Sequence, residues 1–179
     1  NGIKRGNVSY YFSIYTHIWG WATWRRAWKH NDVEMKSFNN FKTLNNITQL
    51  FNQKEEQEYW LRKYSETAEG KIDSWDYPWL FSIQSINGIS ITPNSNLVSN
   101  IGIGIDQTHE NRPEFGNMKL TGIDKISHPK SILINRQADK YSFEIFFSSP
   151  KPGILQILIK IIYNYTPEWL IKIYRLTIK

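Results

Sequence analysis

Apolar residues recur at spacings of three or four along much of the first half of the chain, which is the period of an amphipathic helix. Three segments with this spacing are predicted helices: residues 22–28, 38–51 and 54–68. Gly70 is a natural stop for the third. A fourth helix is predicted around Pro78, because proline suits a first helical turn, and it is expected to end before Gly88.

Two short segments instead favour β-strands. Residues 9–15 are rich in aromatic side chains, and residues 89–93 alternate apolar and polar side chains before ending at Pro93. Residues 138–147 fit a short helix or a strand equally well. The chain is therefore predicted to combine helices with a small amount of sheet.

The pattern changes at Gly153, after which polar residues interrupt an apolar run at four-residue intervals. Two basic amphipathic helices are predicted in residues 153–179, separated near Pro167. Charges occur too often for a comfortable transmembrane span, so one interpretation is contact with a membrane surface. The other is a helical hairpin that packs on its own domain or on a second protomer.

The composition of the chain favours some classes of function and disfavours others, but it does not identify one. Lysine and arginine number 22 against 16 acidic residues, and the net charge of +6 favours phosphate-bearing ligands or an anionic membrane surface. The absence of cysteine excludes a disulfide, a thiolate metal site and a cysteine nucleophile. No motif of a zinc hydrolase, a kinase or a nucleic-acid-binding protein is present, so these functions are disfavoured.

Residues 19–28 contain four of the eight tryptophans of the chain. Helical spacing places Trp21, Trp24 and Trp28 on one stripe, and we expect Trp24 and Trp28 to anchor the helix in the core. Trp19 precedes Gly20, a residue that indicates either a positive φ angle or a close approach by another group.

The same segment also offers binding chemistry. Trp19 and Trp21 present large rings with polar N–H groups, which suit the faces of sugars. Arg25 and Arg26 follow, and their guanidinium groups are suited to pairing with phosphate. A bulky core face remains the alternative interpretation for the tryptophans.

Candidate acid–base and metal-binding residues lie further along the chain. Asp76, between Trp75 and Tyr77, is either a half-buried general base or a helix N-cap, a role that Asp73 or Ser74 would otherwise take. Residues 94–109 are polar and glycine-rich, as in loops that close on a ligand. His109, which ends this segment, is either a divalent-metal ligand or an ordinary loop histidine.

The order of these motifs resembles that of bacterial family 2-like glycosyltransferases, known as nucleotide-diphospho-sugar transferases or hemolytic protein HlpA-like proteins. The resemblance covers about residues 1–147 and rests on five segments: residues 9–13, 17–28, 73–79, 97–102 and 108–109. A looser similarity links the layout to GT-A enzymes of the N-acetylglucosaminyltransferase I type.

This resemblance implies an α/β fold, or α+β for the chain taken alone: the acceptor-side C-terminal half of a GT-A domain in residues 1–130. A connecting segment at 131–152 and the amphipathic extension at 153–179 would follow. The nucleotide-binding half with its Asp-x-Asp motif should precede Asn1 and is missing from the sequence. We therefore expect the chain alone to be inactive and to bind a nucleotide sugar weakly or not at all.

The resemblance also implies site residues. Asp76 would be the base that activates an acceptor hydroxyl, with Asp73 in reserve, and His109 would bind a divalent metal, Mn²⁺ or Mg²⁺. The residues implied to contact acceptor or donor are Trp19, Gly20, Trp21, Asp73, Trp75, Arg25 and Asn100.

The function implied is inverting transfer of a sugar from a nucleotide-diphosphate donor to a carbohydrate acceptor. The location implied is the cytoplasm, peripheral at the inner face of the membrane, with no nucleic-acid partner. A non-catalytic carbohydrate-binding module and a membrane-peripheral assembly module are the alternatives.

Overall fold

A computed structural model describes residues 5–99 and 118–148 of the chain. In these residues it forms helices and a small antiparallel sheet, so the predicted mixture of helix and strand is confirmed. The elements in chain order are β1 (Tyr10–Ser13), α1 (Arg25–Trp28), α2 (Phe38–Thr43), α3 (Ile47–Leu50), α4 (Lys54–Ala68), α5 (Asp76–Ser85), β2 (Ser90–Pro93), α6 (Arg136–Ser142) and a π-helical segment (Phe143–Phe147).

The sheet is organised around β1, and both predicted strands are confirmed. β1 and β2 run antiparallel, with Tyr10 opposite Pro93 at one end of the ladder. On the other side of β1, Ile134 forms a parallel bridge with Phe12, and the Asn135 N–H donates to the Phe12 carbonyl at 2.8 Å. Phe12 therefore has backbone partners on both sides of its strand.

The core is built mainly from aromatic rings of β1, α4 and α5. Trp60 and Tyr64, one helical turn apart on α4, are fully buried and lie 5.5 Å from each other between ring centroids. Tyr64 contacts Phe81 of α5 at 5.4 Å, and its hydroxyl donates to Gln84 Oε1 at 2.6 Å. The buried glutamine donates in turn to the Ile14 carbonyl at 3.3 Å, which joins the helices to the end of β1.

The prediction of one helix over residues 38–51 is wrong, because two short helices, α2 and α3, occupy this range. Asn45 lies between them with a φ of 53°, a left-handed conformation that asparagine tolerates better than most residues. Both helices still bury their apolar side chains, whereas Leu44, at the end of α2, is exposed.

Residues 138–147, which fitted a helix or a strand equally, are helical. Asn135 caps α6, since its side chain accepts from the Ala138 N–H at 3.0 Å.

Residues Asn1–Phe146 form one compact unit and Phe147–Lys179 form a second.

The predicted amphipathic helices at 153–179 lie outside the described residues, and the proposed boundaries at 130 and 152 stay predictions. Within residues 5–99 and 118–148, no helix combines the length and the apolar character needed to cross a bilayer.

Candidate functional site

Four tryptophans from two separate parts of the chain meet in one group, which we call the tryptophan cluster: Trp21, Trp28, Trp75 and Trp79. The Trp21 and Trp75 rings are stacked, with centroids 5.4 Å apart and planes inclined by only 20°. Trp79 lies 5.7 Å from Trp21 and 5.1 Å from Trp28. The cluster therefore joins the turn around Gly20 to the start of α5.

The tryptophan cluster has a buried base and an exposed face. Trp79 is buried, whereas Trp28 is 47% exposed and Trp75 is 53% exposed. Flat aromatic rings held rigidly against one another at a surface give an apolar platform with polar edges. A platform of this kind suits the C–H face of a sugar ring.

The prediction that Trp24 and Trp28 anchor their helix in the core is wrong. The helix α1 is a single turn with no buried residue, and it begins at Arg25 rather than at Ala22. Trp24 is its N-cap residue in an extended conformation and is 52% exposed, so the three tryptophans do not share one stripe. The core is instead filled by the aromatic rings of β1, α4 and α5.

The two arginines of α1 differ in their surroundings. The Arg26 guanidinium lies over the Trp24 ring, 4.9 Å from its centroid, in a cation–π contact. Arg25 is the first residue of the helix and is exposed. Its predicted role in binding a donor phosphate stays a prediction.

The expectation for Gly20 is confirmed in both respects. Its φ is 60°, and a Cβ built there would lie 2.5 Å from Cγ2 of Val98. The group that approaches closely is thus a valine from the start of the polar, glycine-rich segment.

This valine belongs to a segment that is well anchored. Asn94 Nδ2 donates to the carbonyls of Arg5 and Val8 at 3.0 and 2.8 Å, and the Asn96 side chain donates to the Lys119 carbonyl at 3.2 Å. The Trp19–Trp21 turn therefore packs against a segment that these hydrogen bonds hold in place.

Asp76 is the first residue of α5 and is half-buried beside the tryptophan cluster. The N-cap position belongs to Trp75, whose side chain makes no capping hydrogen bond, so the capping interpretations of Asp73, Ser74 and Asp76 do not hold. Ser74 Oγ donates a hydrogen bond to Asp76 Oδ1. A carboxylate in the first turn is also favoured by the helix dipole.

Three of the remaining predicted site residues are Asp73, Asn100 and His109. Asp73 is exposed and precedes α5 by three residues, whereas Asn100 and His109 lie outside the described residues. In the part of the chain that the structure describes, no three acidic or histidine side chains lie together as a metal ion would need. The described residues thus provide no divalent-metal site by themselves.

Sequence reasoning missed a buried polar network at the end of β1. Asp139 of α6 accepts from Ser13 Oγ at 2.6 Å and from the Ile14 N–H at 3.3 Å. Next to it, the Tyr15 hydroxyl donates to Glu56 of α4 and accepts from Trp60 Nε1 at 3.1 Å. The only sequence signal was Asn135 as a helix cap, because every contact of the network joins residues at least 41 positions apart.

The surroundings of both carboxyl groups of this network raise their pKa values. Burial raises the pKa of Asp139, against the opposing effect of its hydrogen bonds from Ser13 and Ile14. Burial also raises the pKa of Glu56, and the nearby charge of Asp139 adds to that rise. Each carboxyl group therefore favours its neutral form in the folded protein more than it would in the unfolded chain.

We expect replacement of Asp139 by alanine to lower the free energy of unfolding by about 2 kcal/mol, because Ser13 and Ile14 lose a buried acceptor. Asparagine should cost less, since it keeps one acceptor and carries no charge. The raised pKa makes the Asp139 contribution to stability largest at acidic pH and smaller as pH rises through that pKa.

Urea unfolding of both variants at acidic and neutral pH measures these effects. Relative to the wild type, Asp139→Asn should become more stable as pH rises, whereas Asp124→Asn, at an exposed position, should show no such trend. A constant difference between Asp139→Asn and the wild type across this range would contradict the assigned role of burial.

No family model matches the chain, and no curated protein or solved structure is significantly similar to it.

Proposed function

We propose that this chain supplies the acceptor side of a glycosyltransferase, in which the tryptophan cluster holds a carbohydrate acceptor and Asp76 is the general base. One observation carries the proposal: Trp21 and the exposed Trp75 stack on each other, and the half-buried Asp76 directly follows Trp75 in the chain. A sugar ring placed on the platform would thus lie near a group able to accept a proton.

The reaction proposed is transfer with inversion. The Asp76 carboxylate removes the proton from an acceptor hydroxyl, and the hydroxyl oxygen attacks the anomeric carbon of the donor sugar. A new glycosidic C–O bond forms as the bond from that carbon to the diphosphate breaks. The nucleoside diphosphate leaves with the electron pair of the broken bond, and Asp76 retains the acceptor proton.

Donor binding requires groups beyond the described residues. We propose that a nucleotide-binding half of the GT-A type supplies most of them, with Arg25, Trp19 and Asn100 contributing from this chain. The Mn²⁺ or Mg²⁺ ion implied by the resemblance is proposed only for His109 and that half, since the described residues do not assemble a site. No step is therefore assigned to a metal here.

A non-catalytic carbohydrate-binding module is the second candidate. The same stacked tryptophans support it, because a rigid aromatic platform binds sugars without any base. The two functions differ in the role of the Asp76 carboxylate. The transferase needs it to take the acceptor proton, whereas a binding module holds the sugar without it.

We expect Trp75→Ala to weaken oligosaccharide binding about tenfold, because it removes one ring of the stacked pair. Isothermal titration calorimetry with a panel of neutral oligosaccharides measures this effect. Trp24→Ala is the matched control, since Trp24 is equally exposed and contacts Arg26 instead of the cluster. Equal affinity loss in both variants, or no binding by the wild type, would exclude the platform as a sugar site.

A further inference from the structure

A second surface is built by a loop that is held at one end by Ser9, which precedes β1, and at the other end by Phe12 of β1. At one end, the Ser9 N–H donates to the Ser127 carbonyl and the Ser127 N–H donates to Ser9 Oγ, both at 2.8 Å. At the other end, Ile134 is bridged to Phe12. Between these attachments lie residues 128–133, which we call the anchored loop.

The anchored loop displays large apolar side chains to solvent. Ile132 is 73% exposed and Leu133 is 74% exposed, and no other large hydrophobic side chain among the described residues exceeds them. Ile126, just before the loop, is also exposed. Single exposed apolar residues are ordinary, but three within eight positions of the sequence make this segment a candidate apolar patch for binding.

The charges around this patch are mainly positive. Residues 118–134 contain three lysines, Lys119, Lys125 and Lys130, against one acidic residue, Asp124, for a net charge of +2. All three lysines are exposed. Lysine is depleted at protein–protein interfaces, whereas lysines beside apolar side chains are typical of segments that bind anionic membrane surfaces.

We propose that the anchored loop binds the surface of an anionic lipid bilayer, with Ile132 and Leu133 inserted at the level of the headgroups. Lys125 and Lys130 then face the lipid phosphates, because their long stems let the ammonium groups remain in the polar layer. The hydrogen bonds to Ser9 hold the loop, so little conformational freedom is lost on binding.

Co-sedimentation of the complete chain with phosphatidylcholine vesicles, with and without phosphatidylserine, tests the proposal. The double variant Ile132→Ser/Leu133→Ser should lower the partition coefficient on anionic vesicles about tenfold. Lys130→Gln should lower it about fivefold on anionic vesicles and leave binding to neutral vesicles unchanged. Residues 153–179 are identical in all these proteins and contribute equally.

The matched control is Val33→Ser/Leu44→Ser, which removes two other exposed apolar side chains and should bind vesicles as the wild type does. Circular dichroism checks that each variant is folded. Equal vesicle binding by the loop variant and the wild type overturns the proposal, as does a wild type that does not bind. It is likewise overturned if the loop variant instead dissociates an oligomer, as sedimentation velocity would reveal.

Discussion

Replacement of Asp76 by asparagine is expected to lower kcat for sugar transfer by about 100- to 10,000-fold, the usual contribution of a general base. Asparagine preserves the size of the side chain and still accepts a hydrogen bond from Ser74, but it cannot take the acceptor proton. Binding of the carbohydrate acceptor should be nearly unchanged. The measurement is steady-state transfer by the chain together with the nucleotide-binding half that we propose for it.

Asp73→Asn is the matched control, because Asp73 carries the same group three residues earlier in an exposed position. It should retain nearly full turnover. Loss of transfer in Asp73→Asn together with full activity of Asp76→Asn would move the base to Asp73. Full activity in both variants would exclude both carboxylates as the base, whereas carbohydrate binding without any transfer by the wild type would favour the non-catalytic carbohydrate-binding module.

The second large effect concerns the turn that carries Trp19 and Trp21. Replacement of Gly20 by alanine should lower the free energy of unfolding by about 3 kcal/mol. Part of this cost is the left-handed backbone, and part is the 2.5 Å contact between the new Cβ and Val98 Cγ2. Gly70 separates the two contributions, because its φ is 70° and no atom lies within 4 Å of the position of a Cβ.

Gly70→Ala should therefore cost about 1 kcal/mol, the price of the backbone conformation alone. Adding Val98→Ala to Gly20→Ala should recover part of the steric cost, since it removes both γ-methyl groups of the valine. Urea unfolding of the four proteins in this double-mutant cycle gives the coupling directly. Additive effects of Gly20→Ala and Val98→Ala would show that the contact does not determine the turn.

Local patterns in the sequence were sufficient for several elements of the fold. Helix α4 has fifteen residues with consistent apolar spacing and ends before Gly70, so its extent was predictable. The strand ending at Pro93 and the positive φ of Gly20 were also predictable, because proline and glycine restrict or extend the backbone locally.

Tertiary contacts determined what the sequence did not predict. The spacing of Trp21, Trp24 and Trp28 indicated a core stripe, but the core position was already filled by the rings around Trp60. The pairing of Trp21 with Trp75, which creates the platform, joins residues 54 positions apart, and no local period reports such a contact. The burial of Asp139 could not be predicted from the sequence either, because it also depends on contacts between residues that are distant in the chain.

The arrangement of β1 also has a consequence for the order in which the chain folds during synthesis. β1 is the first of the described elements to be synthesised, but its partners are β2 and the segment from Ile134 to Asp139. A ribosome must therefore release nearly all of the first compact unit before this strand is enclosed. Until then the apolar side of β1 stays available to chaperones, whereas α4 and α5, which are close in sequence, are free to associate early.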